Sequence, residues 1–524
     1  MKLVENTRMV VHVVVGVLIV VVFMTPLCAS GAVFFLDPDV SGGTHVGTQA
    51  DPFNTLDASA WARINDALAT EDVTVYCSAR NTGSETNQLW NKQVDVTQKT
   101  PNPTGTLTFD GKSFWNSNDT TPGWSAYSGA ARCQMFGFVS ENTAHTKYSK
   151  VVIDGFVVTQ DSSTGTSAIL ICGDNWTIQN SDISAKAGAT VGPLIYWLST
   201  SDGLHQGTDG YCNPMSGLVI QDNVLHDSRG ELLYLGGAGC RDSATDADRF
   251  TLRTDNGACG GVPSNSNVTI QRNRIFNCGS RGPQGDCIDV KAAVVNLTIR
   301  ENDISGNRND NDSRCIVMQG ITMNGTNQNF LIERNRIHDC LGVDDAAVAI
   351  VQDWGTPNGI VVRNNVIANV TGRAGECIRV EDTQAAGVQI YNNTIYGCQS
   401  FGIVVYAGTV TAQNNAILNS NAGRTQTAMS GTITSDHNAF SGTWGGTCTT
   451  CVSDLTSAAF TNVGTQNFAL PPASVLIDKG TTIASFSNDH LNILRPQGPA
   501  WDVGAYEFSI GAQIPSPPRN LRSN

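Results

Sequence analysis

Along most of the chain, apolar and polar residues alternate in short runs. A phrase recurs in which one apolar residue stands three places before an asparagine and another stands two places after it. Its instances are GLVIQDNVLHDS from Gly217, NVTIQRNRIFNC from Asn267, NLTIRENDISGN from Asn296, NFLIERNRIHDC from Asn329, GIVVRNNVIANV from Gly359, GVQIYNNTIYGC from Gly387, TVTAQNNAILNS from Thr409 and TITSDHNAFSGT from Thr432. NWTIQNSDISA from Asn175 is an earlier instance with Ser181 in the asparagine slot. Aligned, they set Asn223, Asn273, Asn302, Asn335, Asn365, Asn393, Asn415 and Asn438 in one register, with spacings of 50, 29, 33, 30, 28, 22 and 23 residues. The pattern predicts two short strands meeting at a bend, with the asparagine as the left-handed residue of that bend, because Asn tolerates that conformation. Stacked amides then bond from one repeat to the next. β-branched residues at this period predict one coil of a β-solenoid per repeat, with longer spacings marking inserted loops.

A second strand series runs through Glu231–Gly236 (ELLYLG), Asp286–Lys291 (DCIDVK), Arg314–Gln319 (RCIVMQ), Glu376–Glu381 (ECIRVE) and Phe401–Tyr406 (FGIVVY). Ala347–Gln352 (AVAIVQ) belongs with it in an ambiguous register. Alternation points Ile288/Val290, Ile316/Met318, Ile378/Val380 and Ile403/Val405 inward. Tyr234, Asp289, Val317, Arg379 and Val404 then form one outward column, and Gly236, Lys291, Gln319, Glu381 and Tyr406 the next. Parallel stacking sets such neighbours about 4.8 Å apart, so residues distant in sequence share a surface.

Composition sharpens this picture. Hydrophobic residues make up 40% of the 524, too many for a disordered chain, and 52 glycines fit many turns. The net charge of -14 excludes sequence-independent nucleic-acid binding, which needs a basic surface. Lys2 and Arg8 precede the apolar run Met9–Thr25, and Ala29, Ser30 and Gly31 follow. This reads as a signal peptide over residues 1–30, the alternative being an uncleaved anchor. The expectation is a secreted or cell-surface monomer with no membrane contact after signal removal. Setting aside Cys28, 14 cysteines remain, an even number that predicts disulfides in an exported chain. Sequential partners are close for Cys278 and Cys287, Cys315 and Cys340, Cys377 and Cys398, and Cys448 and Cys451.

Both ends carry a resemblance. Gly47-Thr48, Asp51-Pro52-Phe53 and Thr55-Leu56, followed by a helix over Ala58–Leu68, resemble the opening of secreted right-handed parallel β-helix proteins of the pectate-lyase-like superfamily. Asp478/Gly480, Arg495-Pro496/Gly498 and Asp502/Gly504-Ala505/Glu507 resemble the D-x-G, R-P-x-G, D-x-G-A-x-E ending of anchored bacterial β-helix proteins. The resemblance implies an all-β right-handed parallel β-helix with an N-terminal capping helix. Its divisions fall at 31–150 for the cap and first strands, 151–445 for the coils, 446–508 for a region closing the solenoid, and 509–524 for a linker-like tail. Arg495 is expected to pair with Asp502 or Glu507.

The scaffold hosts several chemistries, so function has to come from a site. Gly285–Ile299 resembles the D-x-x-D-x-K strand of pectate lyases that use a lysine base. The resemblance implies calcium on Asp286 and Asp289 with Glu231 beside them, Lys291 as base, and Arg314 and Arg379 as further catalytic groups on the same face. It implies a calcium-dependent lyase that cleaves an acidic extracellular polysaccharide by β-elimination. Tyr234, Trp354, Tyr406 and Glu381 are candidate substrate contacts. A glycoside hydrolase, using Glu376, Glu381 or Asp382 near Asp344 or Asp345, is one alternative, and a non-catalytic surface protein is another. His226 and His338 occupy equivalent turn positions and are read as structural.

Overall fold

The computed structural model describes residues 31–37, 42–77, 93–111, 133–140, 146–160, 167–186, 192–197, 215–236, 265–280, 285–291, 294–307, 313–318, 329–341, 346–351, 359–372, 374–381, 387–418, 424–428 and 431–509. Residues 1–30 and the tail after 509 lie outside them, as do Trp354, Asp344, Asp345 and Asp382. Among the described residues, no helix is long and apolar enough to cross a membrane.

Among the described residues the strands stack in three parallel sheets of 14, 11 and 12 strands, in which each interior strand pairs with its counterparts one coil before and one coil after. Sheet 1 carries the strand before each ladder asparagine and sheet 2 the strand after it. Sheet 3 carries the second series. The crossovers between successive parallel strands take the right-handed sense that twisted strands impose, so the chain is a right-handed parallel β-helix. Inward alternation fills one continuous core: Ile288, Ile316, Val348, Ile378 and Ile403 pair in register and are fully buried. Each contributes roughly 1.5–3 kcal/mol by leaving water. The ambiguous strand, observed as Ala346–Ile350, adopts the register in which Val348 and Ile350 face inward and Ala349 outward.

The bend between sheets 1 and 2 corrects one expectation. The ladder asparagines are buried and none has positive φ. The left-handed residue is the one before each of them: Asp222, Arg272, Glu301, Arg334, Asn364, Asn392, Asn414 and His437, with φ between 49° and 58°. The division of labour has a physical cause. The ladder side chain must point inward to find its partners, while the positive-φ residue carries the chain around the corner. Each interior ladder amide then works identically. Asn302 Nδ2 donates to Asn335 Oδ1 at 2.9 Å and to the Ile270 carbonyl at 3.0 Å. Its Oδ1 accepts from Asn273 N and Asn273 Nδ2, both at 3.0 Å. The same pattern runs from Asn223 to Asn438.

The N-terminal helix spans Ala58–Leu68, as expected. Asp57 caps it by accepting from Ser59 N and Ala60 N, and Ala60, Trp61, Ile64 and Leu68 are its buried face. Trp61 meets Phe109 edge-on with ring centroids 6.4 Å apart, which covers the open end of the core. Gly47 lies at φ 84°, and a Cβ there would fall 2.3 Å from the Phe53 ring, so only glycine fits this loop.

The C-terminal region lies along the flank of the last coils. Leu455, Phe460, Phe468, Leu476, Val503 and Ala505 pack on outward residues of sheet 2, namely Val366, Ala368, Ala416 and Ala439. Earlier along the same outward column stand Val224, Arg274, Asp303 and Arg336, the last of which donates to Gln466 Oε1 of the C-terminal region at 2.6 Å. Corner amides complete it: Asn392 Nδ2 donates to the Asp502 and Gly504 carbonyls, and Asn414 Nδ2 to the Thr481 carbonyl. Arg495 is fully buried and its Nη1 donates to Glu507 Oε2 at 2.9 Å and to the Asp502 carbonyl at 3.0 Å.

Disulfides join Cys77–Cys133, Cys278–Cys287, Cys315–Cys340, Cys377–Cys398 and Cys448–Cys451. His226 is held between Asp182 and Asp227, and His338 between Asp303 and Asp339, each by two contacts of 2.7–2.9 Å. These clamps tie one coil to the next, which matches the turn reading.

Candidate functional site

The outer face of sheet 3 gathers the chemistry. Pairing aligns Tyr196, Tyr234, Asp289, Val317, Ala349, Arg379 and Val404 in one outward column. Lys291, Val351, Glu381 and Tyr406 follow two residues along their strands, each held by a backbone bond to the preceding coil. On the other side, backbone bonds set Glu231, Asp286, Arg314 and Ala346 on successive coils, and Glu376 pairs with Ala346.

Two polar stations result. The first joins Glu231, Asp286, Asp289, Lys291, Arg314 and Tyr234. Lys291 Nζ sits 2.7 Å from Asp289 Oδ2 and 5.1 Å from the centre of the Tyr234 ring. Arg314 donates its backbone N–H to Asp286 Oδ1 at 2.6 Å. Burial, followed by the Asp289 charge, pushes the Glu231 carboxyl up and the Asp286 carboxyl well up. Lys291 moves the other way from a lysine base. Burial works against its charge, but Asp289, Asp286 and Glu231 outweigh that and raise its pKa, so it stays an ammonium.

The second station joins Glu376, Arg379, Glu381 and Tyr406. Arg379 Nη2 meets Glu381 Oε2 at 2.6 Å and Nη1 meets Glu376 Oε2 at 3.5 Å. The guanidinium lies 5.1 Å from the centre of the Tyr406 ring, whose hydroxyl donates to Glu376 Oε1. Burial and then the Glu376 hydrogen bond push the Tyr406 hydroxyl up to about 12. Between the stations lies an apolar band of Val317, Ala346, Ala349 and Val351, all buried.

The structure thus brings Glu231, Asp286, Asp289, Lys291, Arg314 and Tyr234 together, and sets Arg379, Glu381 and Tyr406 apart from them, three coils along the same face. Trp354 lies outside the described residues. Trp197 points into the core and is ordinary packing. Sequence reasoning missed Tyr196, whose ring lies 5.2 Å from that of Tyr234. The string Leu194–Trp197 (LIYW) matches Leu232–Leu235 (LLYL) one coil later and carried that signal. Among the described residues no three His, Cys, Asp or Glu side chains converge as metal ligands, and the Lys291 ammonium already sits against Asp289.

A search of curated proteins finds no match to the chain. Among solved structures it is similar to pectate lyase Pel9A, at 11% identity and a TM-score of 0.39 over 91% of this chain and 96% of that one. It is also similar to XylC in complex with xylose, at 10% identity and a TM-score of 0.47 over 91% and 98%. A third is PfbA, a surface adhesin of Streptococcus pneumoniae, at 14% identity and a TM-score of 0.33 over 72% and 79%. Residues 311–440, which carry the ladder rungs from Asn335 to Asn438, match the family model described as the right handed beta helix region.

Proposed function

We propose that the protein is an exported carbohydrate-active β-helix that cleaves an extended polysaccharide at the Glu231–Asp286–Asp289–Lys291 station by carboxyl acid–base chemistry. One observation carries this reading: three carboxyls, on Glu231, Asp286 and Asp289, share a site around the single Lys291 ammonium. Asp286, buried and repelled by Asp289, keeps its proton well above the usual carboxyl range. Asp289 faces the Lys291 ammonium 2.7 Å away, a partner that favours its charged form. A protonated carboxyl beside an ionised one is what glycosidic cleavage requires: one group protonates the leaving oxygen while the other stabilises charge at the sugar or activates water. Asp286, with Glu231 coupled to it, fills the acid role and Asp289 the second. Lys291 acts as a positioning residue that holds Asp289 charged. With Asp289, Asp286 and Glu231 raising its pKa, Lys291 serves this reading as a held cation rather than as the base.

The test is digestion of a panel of plant, algal and microbial polysaccharides by purified protein, with and without chelator. Reducing ends and unsaturated products are followed in parallel. New reducing ends without unsaturated products, abolished in Asp286→Asn and Asp289→Asn, are expected. Unsaturated products lost on chelation and in Lys291→Ala would overturn acid–base hydrolysis in favour of β-elimination.

A further inference from the structure

The asparagine ladder ends on sulfur. Each interior rung takes both its backbone N–H and its Nδ2 to the Oδ1 of the next asparagine; Asn415 brings them to Asn438 Oδ1 at 2.8 and 3.0 Å. Asn438 is the last of the ladder. Its backbone N–H points at Cys451 Sγ, 3.3 Å away, and its Nδ2 at Cys448 Sγ, 3.8 Å away. The Cys448–Cys451 disulfide thus stands where the next amide would. Its loop is seated on the last coil: Cys448 and Thr449 pair with Ser435 and Asp436, and His437 N donates to the Thr449 carbonyl at 3.0 Å. Val452, just past the pair, donates to the Asn438 carbonyl and accepts from Phe440 N.

Exposure sets this disulfide apart. Cys77–Cys133, Cys278–Cys287, Cys315–Cys340 and Cys377–Cys398 join residues no more than 1% exposed. Cys448 and Cys451 are half-buried, and Thr449 and Thr450 between them are exposed. A thiol in solution must reach a sulfur to exchange with it, so these four inner pairs are sheltered and this one is not. It also closes the shortest loop, with a sequence separation of 3 against 9, 21, 25 and 56 for those pairs. Loop-closure entropy grows with loop length, so opening it releases the least of the fold.

The surroundings favour the exchange itself. An incoming thiolate attacks one sulfur, a mixed disulfide forms, and the electron pair of the broken S–S bond leaves on the other sulfur as a thiolate. A charge leaving on Cys451 meets the Asn438 backbone N–H, and one leaving on Cys448 meets the Asn438 Nδ2. Such donors stabilise the charged form. A second thiol then attacks the external sulfur of the mixed disulfide and carries it off as a symmetrical disulfide. Both external thiols are oxidised, and their electrons and protons end on Cys448 and Cys451.

We propose that Cys448–Cys451 is a thiol–disulfide exchange site for small thiols, and that its oxidised form locks the end of the asparagine ladder. Once reduced, the two sulfurs are no longer tied to each other and the Asn438 donors lose their fixed acceptors. The last coil then loosens while the coils before it hold. The site is independent of the cleavage reading.

The test is graded reduction of the full chain with glutathione or dithiothreitol, quenched by alkylation and mapped by peptide mass spectrometry. Cys448 and Cys451 should be labelled at least about a hundredfold faster than the four inner pairs, which react only as the coils open. On selectively reduced protein, amide hydrogen exchange over residues 432–440 should speed about tenfold, the scale of one or two weak hydrogen bonds. Exchange over residues 296–340 should stay as it was. The double variant Cys448→Ser/Cys451→Ser should show the same local change without reductant, and glutathione disulfide should restore slow exchange in the reduced parent but not in the variant. Labelling of Cys448 and Cys451 no faster than the inner pairs would overturn the proposal, as would unchanged exchange in the last coil after their reduction.

Discussion

Replacing Asn302 by alanine tests the ladder that sets every coil over the last. The substitution removes four hydrogen bonds. Two are donated by Nδ2, to the Ile270 carbonyl and Asn335 Oδ1, and two are accepted by Oδ1, from Asn273 N and Nδ2. Asn273 Nδ2 keeps its bond to the Ile220 carbonyl, and Asn335 Oδ1 keeps the bond from residue 302 N. Asn273 N loses its side-chain acceptor inside the core. At about 1 kcal/mol for each lost bond, with a further 1–3 kcal/mol for the orphaned donor, the cost is about 5–7 kcal/mol. A solenoid need not unfold in one step, so the assay is amide hydrogen exchange on peptides covering the 273 and 302 bends. At about 1.4 kcal/mol per decade, exchange there should speed by about a thousandfold or more. Asn329→Gly is the control. It sits at φ 51° and donates an exposed bond to Asn296 Oδ1, so glycine keeps the backbone and should cost about 1 kcal/mol. Equal protection losses in the two variants would refute the claim that burial gives the inner ladder its strength.

The remaining predictions concern charge and cross-links. Asp289 raises both Glu231 and Asp286, so Asp289→Asn should move both carboxyl titrations to lower pH when followed by carbon-13 carboxyl NMR; unchanged titrations would show that the three do not share a site. Lys99 donates to the Thr100 and Ser149 carbonyls, and burial, followed by the Lys150 charge, brings its pKa from 10.5 down to about 7. The unfolded chain therefore binds the extra proton between these values, and this group's contribution to stability should rise with pH from about 7 to 10.5 and fall away as pH drops through 7. Denaturant midpoints of Lys99→Met against the parent should converge across that window rather than stay parallel. Replacing Cys315 and Cys340 together by serine opens a loop with a sequence separation of 25 and should cost about 3.5 kcal/mol by loop entropy, read as a lower denaturation midpoint.

The coils were legible because two signals repeat without interruption: inward Ile and Val at alternate positions, and one asparagine per winding. The left-handed corner was misassigned for a related reason. The residue that turns the chain is Asp222, Arg272, Glu301, Arg334 or His437 in five coils and Asn364, Asn392 or Asn414 in three, too varied to reveal itself, while the asparagine after it draws attention by recurring in all eight. The outward columns of sheet 3 followed from alternation alone, which is why Asp289, Lys291 and Arg379 fall where they were expected. Their protonation did not follow, because burial and the coupling of Glu231, Asp286 and Asp289 depend on three-dimensional proximity. The docking of the C-terminal region was hidden for a similar reason. The change from Arg336 to Val366 and Ala416 along one outward column reads as ordinary variation until the column is assembled.

Every interior rung of the asparagine ladder presents the same donor to one neighbour and the same acceptor to the other. A winding bearing one such residue could therefore be spliced in, or removed, without leaving a mismatched bond on either side. Added between the windings of Asn302 and Asn335, it would lengthen the rod by a single step and move Glu376 and Arg379 that much farther from Asp286 and Asp289. The ladder makes the distance between the two polar stations an adjustable quantity, open to change by duplication without redesign of either one.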